Sequence, residues 1–334
     1  EPRMSLAYTY GGLPVDLGLR LTRATVPRES GFSLGAGELP YNETSTNAST
    51  SVSLPIRNPF ASQFVSLSYT ASLYHQNLTT TTTLDPFGPR PQKPEGGFLS
   101  QIGVSYSLST SQFSENTAGG GRSGFDFNVG LSLADENTGS TSSLYEFDAA
   151  MSGYIPMPWP GYHTLALRAS AGVSAGSYPR RGRYFVGGYD LVNNGPLDTL
   201  VSGIYDGAFV LRGYDAGAAN GTAYFLSTAE YRAPLFTPNW GPSTLPLFLR
   251  QIDASVFADW GGAFDKFDFD AVRFFHNSHP IDAQELKTSV GAEVWLTTVL
   301  AYRIPTNFRV GYAYGFDPGA VPSGQLYFLS TSAF

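Results

Sequence analysis

The chain has 334 residues, of which 42% are hydrophobic, 14% aromatic and 14% charged, with a formal net charge of −7. That balance excludes nucleic acid as the main partner, because phosphate binding needs a basic face. Cysteine is absent, so disulfides, thiolate metal sites and cysteine nucleophiles are excluded too. No run of ~18 apolar residues exists, so no transmembrane helix is expected. The opening "EPRMSLAYTY" reads neither as an initiator methionine nor as a signal peptide, and predicts a processed chain or a fragment.

Alternation of apolar and small polar residues recurs over most of the length, and no segment carries a helical repeat. Strands are predicted at 4–10, 14–23, 49–57, 62–75, 97–110, 123–134, 144–156, 162–174, 222–235, 248–262, 286–302, 306–316 and 324–334. In "QIGVSYSLST", Ile102, Val104, Tyr106 and Leu108 share one face, against Gly103, Ser105 and Ser107. "FDFNVGLSL" sets Phe125, Phe127, Val129, Leu131 and Leu133 against Asp126, Asn128 and Ser132. "TLALRASAGV" and "NFRVGYAYGF" repeat the pattern, with Arg168 and Arg309 on the polar faces.

The polar face separates two all-β architectures. A soluble sandwich turns its second face to bulk water, where Lys and Glu are common. Here that face is Gly, Ser, Thr and Asn with occasional charges: Asp16, Arg20, Asp126, Glu146, Asp148, Arg168, Asp253, Asp259, Glu293 and Arg309. The apolar face carries no charge in mid-strand, as a lipid-facing surface requires, since Arg or Lys at the bilayer midplane costs about 2–4 kcal/mol. The expected fold is therefore all-β: a transmembrane antiparallel β-barrel with a polar lumen. Most predicted strands reach the ~9–11 residues that cross a bilayer when tilted.

Short links (11–13, 57–61, 157–161, 304–306) alternate with long ones (24–48, 76–96, 175–221, 263–285), which assigns the short ones to the periplasm. Links 111–122 and 236–247 are longer than periplasmic turns should be. Thirteen predicted strands, with the first running inward, imply missing strands upstream and an even total of about sixteen. Residues 1–334 are then a C-terminal outer-membrane β-barrel domain, with the N-terminal strands and any periplasmic domain absent.

The long link at 175–221 contains "FVLRGYDAG", which places Arg212 among apolar neighbours. Beyond it, Glu230 shares a polar face with Thr228 and Arg232, and Asp253, Ser255 and Asp259 share another. An arginine folding inward would meet those carboxylates, and breaking such a buried pair costs about 3–5 kcal/mol.

These segments resemble the BamA/TamA superfamily of outer-membrane proteins, which includes insertases, two-partner secretion transporters and organellar import barrels. The resemblance implies a sixteen-stranded barrel whose sixth external loop folds into the lumen and ends in [VLI]-R-G-[FY], matched by Leu211, Arg212, Gly213 and Tyr214. It implies acidic partners for the arginine on the next two strands. One is in an "EYR.P" segment (Glu230, Tyr231, Arg232, Pro234) and the other in an "F.D.G" segment (Phe257, Asp259, Gly261). "RGRYFVGG" resembles the start of that loop, through Tyr184, Phe185, Gly187 and Gly188. Phe334 matches the terminal aromatic residue of many outer-membrane strands. The resemblance is carried by residues 162–334, and within the superfamily it points toward a bacterial subgroup with an N-terminal TolB-like β-propeller.

The implied function is insertion or translocation of polypeptides at the bacterial outer membrane, with the LRGY loop bracing the lumen and no cofactor. The alternative is a passive pore or a structural subunit of an outer-membrane complex. Implied partners are the lipid bilayer, lipopolysaccharide, and other outer-membrane or periplasmic proteins. No enzyme activity is expected: no catalytic constellation is found, and Glu230 and Asp259 are too isolated for glycosidase chemistry. "HNSHP" (His276, His279, near Asp270 and Asp282) reads as solvated loop rather than a metal site. "AGGGRSG" at 118–124 reads as a flexible turn, lacking the lysine and helix of a phosphate loop. The threonine run at 79–83 and the sequons at Asn42, Asn47, Asn77 and Asn220 read as polar external loop.

Overall fold

The computed structural model describes residues 4–34, 37–78, 97–177, 182–189, 209–265 and 286–332, with side chains described outside 26–41, 76–78 and 331–332. The Phe334, "HNSHP" and threonine-run expectations lie outside these residues.

Among the described residues sixteen strands follow in chain order: β1 Met4–Tyr10, β2 Asp16–Leu34, β3 Gly37–Asn58, β4 Ala61–Leu78, β5 Gly97–Ser109, β6 Gln112–Phe113, β7 Gly121–Ala134 and β8 Leu144–Pro156. Then come β9 Thr164–Gly176, β10 Tyr184–Val186, β11 Ala219–Gly221, β12 Ala223–Phe236, β13 Leu247–Phe264, β14 Lys287–Leu300, β15 Ile304–Gly315 and β16 Gln325–Ser332. All but β10 and β11 join one sheet of fourteen strands, ordered β1-β2-β3-β4-β5-β7-β8-β9-β12-β13-β14-β15-β16, with β6 off the path beside β7. β10 and β11 form a separate two-stranded ribbon within the predicted long link.

Each predicted strand corresponds to one strand of the main path. The predicted 24–48 link does not stand. β2 and β3 keep pairing through it, Val26 with Glu43 and Pro27 with Asn42, with one register shift between Arg28 and Phe32. The reason is physical: a ladder needs only backbone groups, whereas alternation needs a different solvent on each face. β2 is 19 residues long, far beyond the ~9–11 that a tilted strand needs to cross a bilayer, so its pairing does not depend on a lipid-facing alternation throughout. The predicted short link at 304–306 also shifts: the turn is Ala301–Arg303, with Ala301 and Tyr302 at positive φ, and β15 begins at Ile304.

The chain divides into two compact units: Glu1–Leu108 with Asn128–Ala149 and Val173–Arg183, and Ser109–Phe127 with Ala150–Gly172 and Tyr184–Phe334. In the first, Leu99, Ala134 and Leu144 form a small apolar cluster. Its polar face is laced by side chains: Glu146 accepts from Gln101 at 3.1 Å and from Ser132 at 3.0 Å.

In the second unit the usual order of burial is reversed. On β13, Gln251, Asp253, Ser255 and Asp259 are buried, while Val256 is 56% exposed and Trp260 46%. On β14, Glu293 is buried and Val290 and Val294 are exposed; on β15, Val310, Tyr312 and Tyr314 are exposed. Water would make this arrangement costly on both faces. Hydrocarbon outside and packed polar groups inside make it favourable.

Candidate functional site

The polar face of the second unit is covered by the segment around residues 209–217. The apolar flanks of Arg212 seat it. Leu211 and Tyr214 are fully buried, in one cluster with Tyr184, Val186, Tyr224, Leu226 and Ala263. Three rings interlock above it, with centroids 4.6 Å apart for Tyr184 and Tyr224, 4.7 Å for Phe209 and Tyr224, and 5.6 Å for Tyr184 and Phe209. Pairs of this kind add about 0.5–1.5 kcal/mol each beyond area burial. The arginine is thus carried inward by an apolar plug.

Gly187 and Gly188 let that plug close. Leu211 N donates to Gly187 O at 2.7 Å, and Gly188 N to Asp215 O at 3.1 Å. A Cβ on Gly188 would stand 1.9 Å from Tyr214 O, and one on Gly187 2.3 Å from Asp215 O. No side chain fits at either place.

Past its apolar neighbours, the Arg212 side chain reaches β13 and β14. Nε and Nη2 donate to the two carboxylate oxygens of Asp259, each at 2.7 Å, and Nη1 donates to Glu293 Oε1 at 2.9 Å. The guanidinium lies 3.3 Å over the Phe257 ring. Burial alone would lower its proton affinity, but hydrogen bonds to Asp259 and the charges of Asp259 and Glu293 outweigh that and hold it well above its ordinary value. A forked cation matched to a carboxylate is the strong form of such a pair.

Glu293 is a hub. It also accepts from Tyr327 Oη at 2.6 Å on β16 and from Trp295 Nε1 at 2.6 Å. Tyr214 donates its hydroxyl to Thr288 O at 2.6 Å, and Asp317 accepts from Thr288 N at 2.6 Å. Gly213 N points to Gln325 Oε1 on β16 at 3.4 Å. Three strands of wall (β13, β14 and β16), the turn at Asp317 and one loop therefore share this polar network.

Of the residues singled out by sequence, Leu211, Arg212, Gly213, Tyr214, Asp259, Gly187 and Gly188 come together here. Glu230 requires a correction. Its carboxylate is held by Arg232, two residues along on the same face of β12, at 2.9 Å. The second carboxylate bonded to Arg212 is Glu293 instead. Glu230 stays within electrostatic reach of Arg212. Sequence reasoning placed Glu293 on a polar face but gave it no role, because the register that aligns Asp259 with Ser289, and Glu293 with Ser255, is not written in either strand alone. Trp295, Tyr327 and Asp317 were not singled out, and Phe257 was named with the "F.D.G" stretch but without a role under the guanidinium.

A sheet that hides carboxylates and shows valines is stable only where one face meets hydrocarbon, and the protein is accordingly a β-barrel of the bacterial outer membrane. It belongs to the Omp85 superfamily, whose domain matches residues 5–328. Solved structures agree on the fold. BamA from Haemophilus ducreyi lacking POTRA domains 1–3 superposes with a TM-score of 0.63 at 15% identity, over 99% of this chain and 62% of that one. CdiB from Escherichia coli gives 0.58 at 11% identity, over 99% and 53%, and CdiB from Acinetobacter baumannii 0.50 at 13%, over 99% and 50%. This chain thus spans from half to about three-fifths of the length of those structures. No curated protein matches it by sequence. Outer-membrane translocation and insertion are the business of this family, which is not a classical enzyme family.

Proposed function

We propose that this barrel inserts or translocates polypeptides at the outer membrane, with the segment carrying Arg212 as an internal brace. The observation that carries this reading is the reach of the brace to β16, the last strand of the ladder. Glu293 receives both Arg212 and Tyr327, so the inward segment and the terminal strand share one carboxylate. An edge strand presents unpaired backbone groups that can template an incoming strand. A brace that bears on that strand can hold it in place or release it. On this reading the end with the short links faces the periplasm, the long links face outward, and lipopolysaccharide and other outer-membrane proteins surround the barrel.

A photo-crosslinking residue replacing Leu326, which is exposed on β16, tests the reading in cells. Pulse-labelled outer-membrane or secreted polypeptides should crosslink during the pulse and leave the adduct during the chase. Adducts with lipid alone, on a barrel that conducts ions, would mean a passive pore.

A further inference from the structure

One short-end link is too long for a turn and carries the "AGGGRSG" stretch. Residues 114–120, past β6, fold onto β12, β13 and β14 rather than staying beside β7. The fold is local and closed on itself: Ser114 N donates to Gly120 O at 2.8 Å, and Gly120 N to Thr117 O at 2.8 Å. Its tip is buried, with Thr117 3% and Ala118 1% exposed. Gly119 lies flat against the wall, where a Cβ would stand 2.4 Å from the Trp295 ring and 2.7 Å from Arg232 Nη1. That Trp295 ring already carries two cations, Arg232 at 4.9 Å and Arg309 at 4.2 Å from its centroid. At the rim Glu115 pairs with Arg250, and Gln251 Nε2 points to Asn116 O at 3.5 Å.

We infer that residues 114–120 form a displaceable latch, hinged at β6 and seated on Trp295, Arg232 and Gln251, that closes the short-link end of this inner wall. The seat is tight in shape and weak in bonding. Its one ion pair is solvent-exposed, and such pairs contribute about 0–1 kcal/mol. Thr117 Oγ1 on the latch and Ser255 Oγ on the wall are both buried without a hydrogen-bond partner. A segment held by shape, with polar groups left unmatched, can leave without breaking a strong bond. The latch is separate from the Arg212 brace, which closes the wall from the long-link end. Its departure would uncover an indole between two guanidinium groups.

Single-channel recording of the full-length protein in planar bilayers tests this without any client, so it can fail while the proposed function stands. Gly119→Leu should unseat the latch and raise the open fraction several-fold. Arg250→Ala, on the rim, should give a smaller rise and serves if Gly119→Leu fails to fold. Because the chain has no cysteine, Glu115→Cys with Arg250→Cys can be joined by a short bis-maleimide, and the joined form should stay closed. An open fraction equal to wild type in the folded variants, or free opening of the joined form, overturns the inference.

Discussion

Arg212 and Asp259 meet through two parallel hydrogen bonds, Nε to Oδ2 and Nη2 to Oδ1, both of 2.7 Å and both buried. The pair joins a loop to β13 across 47 residues of chain. Its worth lies less in the attraction than in the penalty for breaking it, since either charge left alone is buried among polar groups already engaged.

Arg212→Ala should therefore destabilise the folded barrel by about 3–5 kcal/mol. Heat-modifiable migration on a gel reads this as loss of the fast, folded band at lower urea. Arg212→Lys should recover only part, because an ammonium cannot satisfy both oxygens of Asp259 and Glu293 at once.

Gly188→Ala should mimic Arg212→Ala although it touches no charge. Its new methyl would occupy the place of Tyr214 O, so the loop must lift and carry Arg212 away from the wall. Protease cleavage of intact cells within the loop should increase. A loop as resistant as in wild type would show that the backbone contact is dispensable.

Tyr214→Phe should be milder than Arg212→Ala, at about 1–2 kcal/mol, since it loses the donated bond to Thr288 O and longer accepted ones from Thr288 N and Asp317 N. Asp317 still holds Thr288 N at 2.6 Å when the phenol is gone, and the ring keeps its apolar seat. Burial pushes the phenol up from its ordinary range, so what is lost is a neutral donor and not a charge. Urea titration of the variant beside Arg212→Ala compares the two directly.

Val256→Arg should block insertion into lipid vesicles, at about 2–4 kcal/mol near the midplane. Ser255→Thr, one residue away on the buried face, should insert normally. If Val256→Arg inserts as well as wild type, the exposed face of β13 is not the lipid face.

The strands of the main path were legible because lipid and lumen impose opposite chemistries on alternate residues, as Val256 and Asp259 illustrate. Where that alternation lapses, the code fades while the ladder continues, which is why the outer halves of β2 and β3 looked like a loop. Arg212 was legible as an inward residue from its neighbours Leu211 and Tyr214. Its partners were legible only in part. Asp259 lies in a recognisable stretch, but Glu293 becomes a partner through the registers of β13 on β14, β14 on β15 and β15 on β16, which bring Glu293 level with Ser255, Gly311 and Tyr327. Glu230 misled because Arg232 on the same face satisfies it first. The latch announced itself only as excess length in a turn.

The most direct measurement is a pair of double-mutant cycles on urea stability in detergent–lipid micelles. One combines Arg212→Ala with Asp259→Ala, the other Arg212→Ala with Glu230→Ala. The first should return a coupling energy toward the upper end of the ~0.5–3 kcal/mol seen for residues in contact, and the second a clearly smaller one, from through-space attraction alone. A large coupling to Glu230 with none to Asp259 would contradict the account.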